Sequence, residues 1–335
     1  MKPKVVVTRR VPDRAIELLA PHCELDVWGE EDAPIPREVL ERKIGDADGL
    51  YCLLTDAIDR ELLDLAPRLR AISIMAVGYN NIDVTEATRR NILVTNTPDV
   101  LTETTADLTF ALLMATARRI TEAERFLRAG EWRTWSPMLL TGQDVYGATL
   151  GIIGLGRIGS AVARRARGFD MRVLYHSTRR NERAERELGA EYAELDDLLA
   201  RSDFVVIMTP LTPQTRNLIG ARELALMKPT AVLVNAARGG IVDERALYDA
   251  LKSGRLWAAG LDVFEREPVP TDHPLLSLPN VTALPHIGSA SIRTRTRMAE
   301  LAAENLLDAL AGRVPRCLVN REVLPQLSED PEIQV

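Results

Sequence analysis

Gly151-Ile152-Ile153-Gly154-Leu155-Gly156-Arg157-Ile158-Gly159 is the stretch that decides the fold. It carries G-x-G-x-x-G directly after an apolar run and directly before a helical pattern, the strand–turn–helix setting in which this spacing binds a dinucleotide. Gly154 permits the tight turn, Gly156 lets the backbone approach a pyrophosphate, and Gly159 lets the helix pack on the strand. The helix N-terminus offers free N–H groups and the positive end of its dipole to the phosphates. The competing reading is a tight turn that binds nothing. The βα units that follow favour the dinucleotide.

Working outward, short runs of Val, Ile and Leu alternate with longer helical patterns, the rhythm of βαβ units and parallel sheets. Upstream, strands are predicted near 4–9, 23–28, 48–54, 71–77 and 92–95, with helices near 12–20, 36–44, 59–65 and 83–90. Five strands in this order make one small doubly wound domain. A long helix is predicted over 102–120, with Thr102 as its N-cap and Leu108, Ala111, Leu112 and Ala115 at helical spacing. An irregular stretch, 130–148, holds Trp132, Trp135, Pro137, Gly142 and Gly147, and its aromatic residues are expected to be docked on something. Downstream, six strands are predicted at 149–153, 171–177, 203–209, 231–236, 258–263 and 280–284. Helices are expected near 157–167, 181–188, 195–201, 221–226 and 243–253, and a last one over 291–311 ends at Gly312. The tail after 320 is polar, contains two prolines and is expected to be loosely held.

The 335 residues suggest two domains. Lys and Arg total 42 against 48 Asp and Glu, a net charge of −6, which argues against a nucleic-acid binder with a basic footprint. An apolar fraction of 46% argues against a disordered chain. Cys23, Cys52 and Cys317 are scattered, so neither a disulfide framework nor a cysteine zinc site is expected, and a reducing cytoplasm is the natural compartment. The run Val5–Val7 is too short for a signal-peptide core, and no apolar stretch approaches a membrane span.

The second strand of the dinucleotide unit bears on which cofactor is used. A carboxylate about 20 residues after the glycine turn holds the ribose 2′-hydroxyl in NAD sites. Here Met171–Tyr175 runs into His176-Ser177-Thr178-Arg179-Arg180, and no acid follows until Glu182. Two hydroxyls and two arginines suit a 2′-phosphate. NADP(H) is therefore expected to be preferred, with NAD(H) possible. The bland alternative is a solvated strand end.

In open α/β sheets chemistry collects beyond the carboxyl ends of the strands. Three polar residues fall there: Arg238 after Val232–Ala237, Glu267 after Leu261–Phe264, and His286 after Val281–Pro285. Singly, each reads as a surface charge or a structural histidine. Together they suit hydride transfer to a 2-oxo acid. A guanidinium holds the substrate carboxylate and carbonyl, a histidine gives the carbonyl oxygen its proton, and a carboxylate beside that histidine favours the imidazolium and fixes the ring. The cofactor supplies the hydride. No metal is required.

Four ordered segments carry a family resemblance: Gly151–Gly159, Asn235–Glu244, Gly260–Pro268 and Pro285–Ala290. With these the chain resembles the D-isomer-specific 2-hydroxyacid dehydrogenases over about residues 1–320, and most closely their glyoxylate/hydroxypyruvate reductase branch. The resemblance implies an α/β architecture of two doubly wound parallel-sheet domains. A Rossmann dinucleotide-binding domain, 101–287, is inserted in a flavodoxin-like substrate domain built from 1–100 and 288–335, and closure of the two over substrate is expected. It implies NAD(P)H-dependent reduction of glyoxylate or hydroxypyruvate, with Arg238 binding substrate, His286 donating the proton and Glu267 as its partner. Leu155, Gly156, Arg157 and Ile158 would lie along the pyrophosphate. Ser177, Thr178, Arg179, Pro210, Ala236, Ala237, Asp262 and Gly288 would line the rest of the dinucleotide, Asp262 near the nicotinamide carboxamide. Val77 and Gly78, in Ala76–Asp83, would hold the substrate carboxylate through backbone N–H groups, with Leu53 and Ser289 nearby. A homodimer through the dinucleotide-binding domain is implied, with Trp135 or Met138 reaching the neighbouring active site. Glu267 stands where the related formate dehydrogenases have Gln, which speaks against formate oxidation. Dehydrogenases for D-lactate, 3-phosphoglycerate or phosphonate-type substrates, and a nucleotide-sensing corepressor, remain the alternatives.

Overall fold

The computed structural model describes residues 1–324. The described residues divide into two compact units: Met1–Leu101 together with those from Ser291 onward, and Thr102–Ala290. The second junction falls past Gly288 and Ser289, which the sequence reading placed in the first unit. The N–H of Ile287 bonds the carboxylate of Asp262 at 2.8 Å, and the N–H of His286 bonds its carbonyl, which holds this turn in the larger unit.

The first unit carries strands β1 (Lys4–Val7), β2 (Glu24–Val27), β3 (Gly49–Cys52), β4 (Ala71–Ile74) and β5 (Leu93–Thr95). They form one parallel sheet in the order β2-β1-β3-β4-β5, the flavodoxin-like arrangement. Every residue of β3, β4 and β5 is buried, so these strands read as continuous apolar runs rather than alternating ones. The C-terminal helix Ile292–Leu310 covers one face. The Tyr51 hydroxyl donates to the Ala299 carbonyl at 3.2 Å and that of Ser73 to the Ala302 carbonyl at 2.7 Å. Beyond this helix, Asn320 accepts from the Val94 N–H and donates to the Ile92 carbonyl, both at 2.8 Å, ahead of a single 3-10 turn at Arg321–Val323. The rest of the tail expected to be loosely held lies outside the described residues.

The larger unit carries β6 (Thr149–Ile153), β7 (Arg172–His176), β8 (Glu191–Tyr192), β9 (Phe204–Ile207), β10 (Val232–Asn235), β11 (Ala258–Leu261) and β12 (Val281–Ala283). Their order is β12-β11-β10-β9-β6-β7-β8, all parallel: a Rossmann sheet whose winding reverses between β6 and β9. Alternate residues feed two cores. Leu150, Ile152, Phe204, Val206, Val232 and Val234 face one layer; Ile153, Val205, Ile207 and Leu233 face the other.

Three expectations are corrected. The long helix begins at Thr102 itself, so Thr102 is its first residue and not its cap, and it stops at Ala117. Arg119 then takes a left-handed φ of 53° and a second helix, Ile120–Arg128, follows. The break is fixed by Gly142, where a Cβ would stand 2.2 Å from the Ala117 carbonyl oxygen, and by the Gln143 N–H, which bonds that oxygen at 2.9 Å. The sheet has a seventh strand, β8, whose two residues are too short to show a period. The 130–148 stretch is irregular as read, but only its second part is docked within the chain, through Gln143, Val145 and Gly147; the aromatic residues expected to dock are exposed, Trp135 by 75%.

Candidate active site

The glycine turn is built as its spacing requires. Gly154 has φ 99°, and a Cβ there would come within 2.8 Å of the Met208–Thr209 peptide at the end of β9. A Cβ at Gly159 would stand 2.2 Å from the Gly154 carbonyl oxygen, so only glycine lets the helix Arg157–Ala166 start this close to β6. A Cβ at Gly156 would meet nothing within 4 Å: this face of the turn is open. Leu155 is gripped on both sides, its N–H donating to Ser177 Oγ at 2.8 Å and its carbonyl accepting from Asn181 Nδ2 at 2.9 Å. Ser177 thus faces the turn. Asn181 was missed as a site residue, although its position just before Glu182 is an N-cap signal. Its side chain does cap the helix Glu182–Leu188 by accepting from the Ala184 N–H.

At the end of β7, Thr178, Arg179 and Arg180 are exposed. Arg180 is committed to Glu185 at 2.7 Å and lies over the Tyr192 ring, so of the two arginines only Arg179 lacks a hydrogen-bond or ion-pair partner among the described residues. Glu185 is also the acceptor for the Tyr175 hydroxyl at 2.5 Å, which anchors the pair to the strand.

Because β10, β11 and β12 are consecutive neighbours, their carboxyl ends bring Arg238, Asp262, Glu267 and His286 to one edge. Glu267 Oε2 meets His286 Nδ1 at 2.6 Å, and Glu267 Oε1 accepts from the Phe264 N–H at 3.0 Å. Burial pushes the Glu267 carboxyl up, but the bond to His286, its charge and the Phe264 N–H outweigh it and hold the group below the usual carboxylate range. The Nδ1 contact leaves Nε2 as the ring nitrogen available to a ligand. His286 has φ 55°, a conformation costly for a residue with a Cβ, held by its N–H bonding the Asp262 carbonyl at 2.9 Å. Burial lowers the pKa of the Arg238 guanidinium from its ordinary value while Glu267 opposes it; the group stays charged at neutral pH. Asn235 shapes the segment leading to it, accepting from the Ala237 N–H and donating to the Arg238 carbonyl. Ala236 is buried beneath, and Pro210 lies in the loop after β9.

Asp262 is buried. Its Oδ1 accepts from the Ile287 N–H at 2.8 Å, while its Oδ2 has no hydrogen-bond partner, and burial raises the carboxyl above its ordinary value. An unsatisfied buried carboxylate oxygen needs a donor, and a carboxamide NH₂ is one. The open face at Gly156 and the orphan Asp262 Oδ2 both fit a bound dinucleotide.

In the first unit, Val77 and Gly78 follow β4. The Val77 carbonyl accepts from Asn96 Nδ2 at 2.8 Å, and Asn81 Nδ2 donates to the carbonyls of Leu53 (3.0 Å) and Asp56 (2.7 Å). Asp56 Oδ2 accepts from the Thr8 hydroxyl at 2.5 Å and the Leu53 N–H at 2.8 Å, so the loops after β1, β3 and β4 are tied together.

A Rossmann sheet with a glycine turn at its switch point and an Arg, a Glu–His pair and a buried Asp at its strand ends defines a dinucleotide-dependent oxidoreductase. Residues 110–288 match the family described as D-isomer specific 2-hydroxyacid dehydrogenase, NAD binding domain. The chain is 56% identical over 325 residues to a glyoxylate reductase of Korarchaeum cryptofilum, covering 97% of this chain and 98% of that one. It is 56% identical over 328 residues to a glyoxylate reductase of Thermococcus gammatolerans, with the same coverage. Among solved structures, an NADPH-dependent glyoxylate/hydroxypyruvate reductase of Sinorhizobium meliloti, in complex with NADP and malonate, superposes with a TM-score of 0.84 at 35% identity. That match covers 95% of this chain and 97% of that one. The chain belongs to the D-isomer specific 2-hydroxyacid dehydrogenase family. It is an oxidoreductase whose larger unit binds a nicotinamide dinucleotide.

Proposed function

We propose that this enzyme reduces glyoxylate or hydroxypyruvate to the 2-hydroxy acid, with NADPH as the preferred cofactor. The observation that carries the chemistry is the 2.6 Å bond between Glu267 and His286 at the strand edge that also bears Arg238. The substrate class is supported by 56% identity to glyoxylate reductases over nearly the whole chain. When bound, the dinucleotide supplies the hydride. Leu155, Gly156, Arg157, Ile158 and Gly159 hold its pyrophosphate, Asp262 Oδ2 its carboxamide, and Ser177, Thr178, Arg179, Pro210, Ala236, Ala237 and Gly288 its remainder.

Arg238 fixes the substrate carboxylate and polarises the carbonyl. His286, held through Nδ1 by Glu267, donates the Nε2 proton to the carbonyl oxygen as charge develops there. Glu267 stabilises the imidazolium before the transfer and keeps the ring oriented after it. In the first unit we assign the N–H groups of Val77 and Gly78, with Leu53, to the substrate, and in the larger unit Ser289.

NADPH preference rests on Arg179, exposed and without a hydrogen-bond or ion-pair partner among the described residues, at the end of a β7 that carries no acid. Initial rates of absorbance loss at the reduced-nicotinamide band test the proposal, using glyoxylate, hydroxypyruvate and pyruvate with each cofactor. Turnover of glyoxylate or hydroxypyruvate with NADPH supports it. Cofactor binding without turnover on any of the three refutes it. Arg179→Ala raises KM for NADPH and spares NADH; equal losses on both refute the 2′-phosphate assignment. The helix Ile120–Arg128 buries no residue within the chain, and Ile120, Leu127, Trp132, Trp135 and Met138 are all exposed. A second copy covering this surface gives a homodimer, which light scattering checks. No helix among the described residues is long and apolar enough to cross a membrane, and we assign the enzyme to the cytoplasm.

A further inference from the structure

A second histidine–carboxylate pair stands behind the first. Glu244 is the first residue of the helix Glu244–Lys252, whose free N–H groups are served by the Asp243 side chain, so the Glu244 carboxylate is released to reach elsewhere. Its Oε1 accepts from the Glu265 N–H at 2.6 Å, and its Oε2 lies 3.1 Å from His273 Nε2. His273 is partly buried, with its ring edge-on to Phe264, the centroids 6.0 Å apart. Its Nδ1 is buried without a partner, so the ring's single directed bond goes to Glu244.

These contacts converge on one peptide unit, Phe264–Glu265. Its N–H goes to Glu244. Its face is pressed against Gly239, where a Cβ would stand 1.8 Å from the Phe264 carbonyl oxygen and 2.4 Å from the Glu265 nitrogen. The preceding N–H, that of Phe264, goes to Glu267 Oε1. The same short segment is therefore clamped from outside by Glu244 and His273, abuts the residue following Arg238, and sets the orientation of the carboxylate that holds His286.

We propose that Glu244, braced by His273, is a positioning residue for the reaction: it fixes the Phe264–Glu267 segment so that Glu267 presents its carboxylate to His286 beside Arg238. Glu244 touches neither Glu267 nor His286 in any bond described above, so it acts through the backbone. The inference rests on the acid–base role proposed for Glu267 and His286. A carboxylate at this point suits the task because an ionised acceptor makes a shorter and stronger bond to a backbone N–H than a neutral one.

The test uses the full chain with glyoxylate and NADPH and compares Glu244→Ala, Glu244→Gln, His273→Phe and His286→Ala for kcat, KM for both substrates, cofactor Kd and Tm. A displacement of about 1 Å at a catalytic group can cost about 100-fold in rate, so a loosened segment should lower kcat by about 10- to 100-fold in Glu244→Ala. KM and Kd for the cofactor should stay within about 2-fold, because the glycine turn is untouched. Gln retains an acceptor for the Glu265 N–H and should restore kcat to within about 5-fold of the parent. His273→Phe keeps the ring against Phe264 and loses only the brace, so its loss should be smaller than that of Glu244→Ala. It also decides the matter if Glu244→Ala does not fold. A slow His286→Ala beside a Glu244→Ala and a His273→Phe at parental kcat overturns the positioning role alone. Equal rate losses in the Ala and Gln variants with matching falls in Tm overturn it too, as a stability effect. A His286→Ala enzyme at parental kcat overturns the acid–base reading, and with it this inference.

Discussion

Replacing Gly156 by Ala separates cofactor binding from folding more cleanly than any other change at the glycine turn. Gly156 has φ −81° and ψ −157°, a conformation open to any residue, and an added Cβ meets no protein atom within 4 Å. The folded state therefore gains no strain. The unfolded chain loses some freedom, worth about 0.4–1 kcal/mol in favour of folding. Thermal unfolding without cofactor should show Tm unchanged or slightly raised. If the pyrophosphate lies against this backbone, the new methyl group fills space the phosphate needs, and overpacking costs about 1–3 kcal/mol. That corresponds to a Kd for NADPH weakened by about 5- to 150-fold in a fluorescence titration. Gly159→Ala is the contrasting case. Its Cβ would stand 2.2 Å from the Gly154 carbonyl oxygen, so the helix or the turn must retreat by about 1.2 Å to reach ordinary contact. Its Tm should fall, with cofactor binding lost as a consequence. A Gly156→Ala protein that binds NADPH as tightly as its parent would put the pyrophosphate elsewhere and refute the reading of the turn.

Two further outcomes are expected. His286→Ala should lower kcat by about 100-fold or more while leaving cofactor Kd unchanged, since general-acid catalysis is worth about 10²–10⁴ and the ring touches none of the turn residues; an unchanged kcat refutes the proton-donor role. In the first unit, the Glu86 carboxyl is held at about 2, against an ordinary 4.5, by hydrogen bonds from Arg89 and Arg90, and Arg90 also pairs with Asp64. Because the folded-state value is depressed, the stability these pairs supply is complete above pH 4.5 and is lost as pH falls toward 2. Acid unfolding followed by circular dichroism should therefore show a flatter limb over that range in Glu86→Gln, and an identical limb argues against the pairs.

Much of the site was legible because its signals are local. G-x-G-x-x-G needs six consecutive residues and the β-strand before them, and each glycine has a steric reason visible within that span. Arg238, Glu267 and His286 were legible as polar residues at strand ends. Their pairing was implied by the family resemblance and by no local signal, because Glu267 and His286 lie 19 positions apart and meet only when β11 and β12 are neighbours. The same limit hid Glu244, which reaches Glu265 across 21 positions, and Asn181, which grips Leu155 across 26. Arg180 was read with Arg179 as a phosphate ligand because nothing in the run His176–Arg180 shows that Glu185, one turn into the next helix, captures it.

By itself the sequence determined the alternation of strand and helix, the parallel character of both sheets, the place of the glycine turn and the types of side chain at the strand ends. These follow from periodicity and backbone sterics acting over a dozen residues or fewer. The tertiary structure alone decided the strand order, the break at Ala117, the capture of Arg180, the orphan oxygen of Asp262 and the clamp on Phe264–Glu265. Each depends on which distant segments become neighbours, and that is settled by how whole faces of the sheets are buried rather than by any local run of residues.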